Sequence, residues 1–233
     1  MKAKLMRKEP PILTLDSIQT WDASGPELIT KIPRNEYFQP NSQINSKVSL
    51  LFQGFNTNFV VDAIVCPANV HLMAGGGLNG GIFAAAGPEL IKECQKIGRC
   101  DCGKAVLTNG YQLPCKYIIH AVGPCGDDKP QLLLDTYNSI LSFIKNRNDI
   151  RSIALTSIST DVFGFPADKA ADIALRAVRV FLEEPENFNK VDRIVFVLFK
   201  PEEIQIYLNL FPSYFPLMEQ TFLNENSQYD NFI

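Results

Sequence analysis

Two clusters in this chain have the residue types and spacing to hold an anion. The first lies within Val61 to Gly87, VDAIVCPANVHLMAGGGLNGGIFAAAG. An apolar run leads to Asn69, then to Gly75, Gly76 and Gly77, then to Asn79, Gly80 and a small-residue stretch that reads as the start of a helix. A buried strand that empties into such a turn leaves backbone N–H groups without internal partners, and the helix dipole there favours negative charge. The second cluster is Ser157 to Gly164, SISTDVFG, after the apolar run Ser152–Thr156. Two turns of glycine and small hydroxyl residues, facing each other across the carboxyl edge of a sheet, can clamp a diphosphate. Glycine also serves turns that bind nothing, because it adopts positive φ freely, so the glycines alone leave both readings open.

The turns need a sheet to hold them. Apolar runs predict strands at Lys47–Gln53, Asp62–Cys66, Lys104–Thr108, Tyr117–Val122, Ser152–Thr156 and Arg193–Leu198. Several are continuous, as strands buried on both faces should be. Between them, Leu133, Tyr137, Ile140, Leu141 and Ile144 keep one helical face, and Ala170, Ile173, Ala174, Ala177, Val178 and Phe181 keep another. Asp168 is placed as the N-cap of the second helix, and Pro88-Glu89 opens a further one after Gly87. The alternation predicts an α/β fold, a mixed sheet with helices on both faces. The expected organisation is an extension over residues 1–45 with a few apolar anchors such as Trp21, a main domain over 46–216, and a polar tail over 217–233.

Composition narrows the function classes. The chain has 233 residues, 46% of them hydrophobic, enough for one sizeable core. A net charge of −3 without a Lys/Arg run argues against a broad nucleic-acid footprint. No stretch has the length of a membrane span, and the first residues lack the apolar core of a signal peptide. The six cysteines show no disulfide-scaffold spacing, and with two histidines the pair Cys100 and Cys102 makes a poor metal site. We expect a reduced intracellular protein, cytoplasmic or nuclear, with no metal and no cofactor.

The order of the segments is more specific. DAIVCPAN, GGGLNGGIFAAAGPEL, GKAVLTNGYQLPCKYIIHAVGP, SISTDVFGFP and VDRIVFVLF follow one another between about Ser46 and Phe211. In this order they resemble the macrodomain family, and within it the MacroD-type branch. The resemblance implies a three-layer α/β/α macrodomain whose cleft binds ADP-ribose. It also implies removal of ADP-ribose from modified proteins, or hydrolysis of O-acetyl-ADP-ribose.

Several positions depart from the family pattern. The aspartate that accepts from the adenine amino group is replaced by Phe55. A charge-assisted hydrogen bond of that kind contributes about 1.5–3 kcal/mol. The family's Asn-Ala-Ala-Asn reads Cys66-Pro67-Ala68-Asn69, which keeps Asn69 for the distal ribose. The aspartate that activates the attacking water is Asn79 here. An amide holds a water but cannot take its proton, so general-base assistance of about 10²–10⁴-fold is lost. Cys66, in an apolar strand, reads as a buried small hydrophobe rather than a substitute base. In the second turn Asp161 replaces a glycine that lets the backbone approach the diphosphate. Its carboxylate would repel a phosphate unless it turns to solvent, although aspartate tolerates left-handed backbone well.

By the same resemblance Phe163 packs on the distal ribose and Phe199 stacks on adenine. Phe55, which could stack on the base or join the core, and Gly75, Gly76, Gly77, Gly80, Ser159, Thr160, Asp161 and Val162 complete the expected ligand-binding set, together with Asn69 and Asn79, which are also the residual catalytic candidates. His71 is placed at the cleft edge, His120 inside a strand, and Asp62 in a structural role at a strand start. The expectation is a binder of ADP-ribose or of ADP-ribosylated proteins with impaired hydrolysis. A surviving mono-ADP-ribosyl hydrolase and a degenerate protein-interaction scaffold are the alternatives.

Overall fold

The computed structural model describes residues 12–28, 38–52, 57–126 and 128–218. Phe55 and the stretches 1–11, 29–37 and 219–233 lie outside them, and with them most of the expected tail. The elements in chain order are β1 (Leu13–Thr14), α1 (Trp21–Leu28), α2 (Ser42–Asn45), β2 (Val48–Leu51), β3 (Phe59–Val60), β4 (Ala63–Pro67), α3 (Gly77–Ala86) and α4 (Pro88–Ile97). They continue with β5 (Lys104–Asn109), β6 (Tyr117–Val122), α5 (Pro130–Asn146), β7 (Ser152–Leu155), α6 (Ala167–Glu183), α7 (Pro185–Phe188), β8 (Arg193–Val197) and α8 (Pro201–Tyr214). All six expected strands form. The small pair β1 and β3 and the helix α8 carry no strong periodic signal and go beyond the sequence reading.

The main sheet has the order β2-β8-β7-β4-β6-β5, with β5 antiparallel to β6 and the other neighbours parallel. It is therefore mixed, as expected. Strand residues alternate between two cores with the period of the pleat. Ala63 and Val65 face a cluster built with α5, α6 and α8, while Ile64 and Cys66 face one built with α3 and α4. The result is a three-layer α/β/α arrangement. Continuous apolar strands are required because both faces of β4, β6, β7 and β8 are covered.

One local expectation holds and one is corrected. Pro88 stands at the start of α4 with Glu89 in its first turn, as the sequence implies. Asp168, by contrast, is not the N-cap of α6. The helix starts at Ala167 after Pro166, and no side chain caps it. The fixed φ of proline suits the residue ahead of a helix, and Asp168 one position further in still lies near the positive end of the dipole.

The N-terminal residues join the larger core. Trp21 is fully buried, its Nε1 donates to the Phe215 carbonyl at 2.7 Å, and its ring centroid is 4.6 Å from that of Phe211. Asn45 Nδ2 donates to the Pro216 carbonyl at 2.9 Å. Leu217, where the polar tail was expected to begin, is also buried in this core. Among the described residues no helix is long and apolar enough to cross a membrane.

Candidate functional site

The strands β4 and β7 are neighbours, yet the chain leaves them toward opposite faces. From β4 it passes to α3, and from β7 to α6 on the other side of the sheet. A crevice opens at such a switch point, outside the carboxyl ends of the strands. Here it is a cavity of about 710 Å³, within the ordinary range for small-molecule sites. Both predicted turns line it, bringing together Asn69, Gly75–Gly77 and Asn79 with Ser159, Thr160, Asp161, Val162 and Phe163. Gly80 and Phe199 do not line it, and Phe199 is partly exposed outside.

The first turn is braced by its two asparagines. Asn69 Oδ1 accepts from the amides of His71 and Met73 at 3.1 and 3.2 Å, and its Nδ2 donates to the Met73 carbonyl at 2.8 Å. Asn69 thus shapes the turn as well as lining the cavity. Asn79 Oδ1 accepts from the Gly75 amide at 2.6 Å, and its Nδ2 donates to the Pro67 carbonyl at 3.0 Å and toward Cys66 Sγ at 3.5 Å. The amide ties the glycine turn to the end of β4, using its donor and its acceptor at once.

Gly76 flanks α3 with no side-chain cap, and Gly76, Gly77 and Leu78 line the cavity, where the amides of a first helical turn have no intrahelical partner. Gly80 is required by contact: a Cβ there would stand 2.3 Å from the Gly75 carbonyl oxygen. The Cys66 thiol is fully buried, and burial pushes its pKa far up, which makes it the inert side chain the sequence implied.

The second turn takes its shape from Ser159 and Gly164, whose φ values are +69° and +68°. Asp161 does not adopt the left-handed conformation considered for it. The Ser159 amide through the Phe163 amide find no partner among the described residues, which leaves a row of donors along the cavity. Gly123, at the end of β6, lets the turn approach: a Cβ there would lie 2.2 Å from Ser159 Oγ.

Thr160 Oγ1 donates to Glu203 Oε1 at 3.0 Å. Glu203 is buried in the first turn of α8. The Asp161 carboxylate is largely in solvent and forms an ion pair with Lys200 Nζ. Lys200 lines the cavity rim, with its ammonium 5.7 Å from the Phe199 ring centroid. Phe163 lines the cavity, and its carbonyl accepts from Gly126 N at 2.7 Å.

Sequence reasoning missed Lys200, Glu203 and Gly123. The rule that located the two turns also points to the carboxyl ends of β6 and β8. Lys200 follows directly on Phe199 there, so its position was readable. Its pairing with Asp161 was not, because the two are far apart in the chain.

The remaining candidates do not line the cavity. His71 is exposed and does not line the cavity. His120 is fully buried, its Nε2 is 3.0 Å from Thr108 Oγ1, and burial holds its pKa down at about 4. Asp62 accepts from Lys116 Nζ at 2.6 Å and from the amides of Arg151 and Ser152 at 2.9 Å. Burial raises the Asp62 pKa, but these donors together outweigh it and leave the group below its usual value. It locks the start of β4 to the start of β7.

Known proteins are similar to this chain in sequence and in fold. The family model described as "Macro domain" matches residues 65–174. A Bos taurus protein named ADP-ribose glycohydrolase MACROD1 is 40% identical over 87% of this chain and 62% of its own length. A Klebsiella pneumoniae protein named O-acetyl-ADP-ribose deacetylase is 42% identical over 68% of this chain and 93% of its own. A Trypanosoma brucei macrodomain solved in complex with ADP-ribose superposes with a TM-score of 0.74 at 33% identity, over 87% of this chain and 78% of that one. The chain spans less than two thirds of the length of the first MACROD relatives it matches. With the sheet order, the paired turns and this degree of identity together, the chain belongs to the macro domain family.

Proposed function

We propose that the cleft binds ADP-ribose, free or attached to a protein side chain, and releases it by hydrolysis slowly or not at all. The observation that carries the reading is Asn79. Its side chain is bonded to Gly75 N, Pro67 O and Cys66 Sγ, and it has no basic site for the proton of a water. Among the described residues Asp161 is the only carboxylate lining the cavity, and it pairs there with Lys200. Binding has independent support. The N-terminal turn of α3 and the residues Ser159–Phe163, whose amides have no partner among the described residues, line one cavity of about 710 Å³. The Trypanosoma brucei relative was solved with ADP-ribose.

The relatives' names favour a hydrolytic reading, and one pair of measurements separates the two. Calorimetry with ADP-ribose should give a saturable heat, and absence of heat at millimolar ligand would overturn binding. Release of ADP-ribose from a glutamate-modified protein should run near the buffer blank. A rate more than about 10²-fold above the blank would mean that another group supplies the base. All six cysteines are free thiols, which supports placement in a reducing compartment, cytoplasm or nucleus.

A further inference from the structure

We propose that Lys200 is the cation that meets the ligand's diphosphate, and that Asp161 is the anion that occupies it while the cleft is empty. The inference rests on the ADP-ribose reading of the cleft and adds a binding residue to it. Lys200 is the only cationic residue lining the cavity among the described residues, and Asp161 the only anionic one. They come from different elements, the turn after β7 and the residue before α8, and they pair at the rim.

The pair has little to do for the fold. Both side chains are substantially exposed, 38% for Lys200 and 57% for Asp161. Exposed pairs contribute little to stability and are screened by salt. Lys200 also stands just ahead of α8, at the positive end of a helix dipole, where a cation is disfavoured. Glu202 and Glu203 in the first turn suit that end, and a lysine does not.

As a ligand-binding group the placement makes sense. The cavity's other polar groups are neutral amides and hydroxyls, while the two phosphoryl groups of ADP-ribose each carry a negative charge. An ammonium has three donors on a flexible stem, so Lys200 can turn from the Asp161 carboxylate to a phosphate without backbone motion. Asp161 then returns to water, where it is already mostly solvated. The acidic residue in the phosphate turn, unwelcome by itself, becomes the counter-ion of a cation that the ligand captures.

The test is calorimetry with ADP-ribose on the wild type, Lys200→Met, Lys200→Arg and Asp161→Asn at low and physiological salt. Lys200→Met should bind about tenfold more weakly, the loss expected for one charge-assisted hydrogen bond. Its affinity should also depend less on salt, which a purely structural role would not change. Lys200→Arg should stay within about threefold of wild type. Asp161→Asn should bind about two- to fivefold more tightly, because a competing surface ion pair is gone. Melting temperatures of the free variants should match wild type. Equal affinities for wild type and Lys200→Met, or weaker binding by Asp161→Asn, would overturn this assignment while leaving ADP-ribose binding intact. No binding by the wild type would overturn both.

Discussion

At position 79 the difference between an acid and an amide is one atom, and its neighbours show why the amide fits. Nδ2 donates to the Pro67 carbonyl at 3.0 Å, a bond that an ionised carboxylate could not make. The same amide, which has no basic site for a water proton, ties the glycine turn to the end of β4. His120 makes a second argument at this scale. Burial disfavours its charged form and sets its pKa near 4, against a usual 6.5. The unfolded chain therefore takes up a proton below pH 6.5 that the folded protein refuses until about pH 4. Stability falls as pH drops through that window, by about 1.4 kcal/mol per unit at most, and levels off below it. Urea denaturation at pH 7 and pH 5 should show a lower midpoint at pH 5, and His120→Phe should shrink the difference.

At the scale of elements, the site consists of two turns that each depend on close backbone approach. Gly80 sits one turn into α3, where a Cβ would meet the Gly75 carbonyl oxygen at 2.3 Å. Gly80→Ala should push the glycine turn away from β4, break the Gly75–Asn79 bond and weaken ADP-ribose binding by at least about tenfold. Calorimetry reads this directly, and circular dichroism should retain the helical signal, because alanine is a better helix former than glycine. The second turn is held from behind by Thr160 against Glu203 and by Ser159 against Gly123.

The strands that carry these turns were legible because continuous apolar runs mark two-sided burial. The N-terminus of α6 lies two residues ahead of the start that Asp168 marks, because a capping aspartate and a first-turn aspartate look alike in sequence. Helix α8 lacks a clean apolar stripe, since the same helix reaches into the aromatic core through Tyr207 and Phe211 and places the buried Glu203 behind Thr160.

At the scale of the whole molecule, ligand and fold are coupled. The cleft is made from the ends of β4, β6, β7 and β8, so it exists only when the sheet is assembled. ADP-ribose at one hundred times its Kd should therefore stabilise the folded state by about 2.7 kcal/mol. For a chain of this size that corresponds to a rise in melting temperature of about 5–10 °C. A thermal-shift titration checks it, and the intrinsic fluorescence of the single tryptophan, Trp21, buried in the larger core, reports the same transition.

The order of the six main strands, the two-sided burial of the sheet, the family and both turns that line the cavity follow from the amino-acid sequence alone. Each depends on residues close together in the chain, where periodicity and turn chemistry act locally. Tertiary structure decided what depends on residues far apart. It put Lys200 beside Asp161, Glu203 under Thr160 and Gly123 against Ser159, and it turned Asn79 back onto the end of β4. Pairings of that kind are set by how the sheet orders its strands, and local patterns carry no record of which strand ends meet.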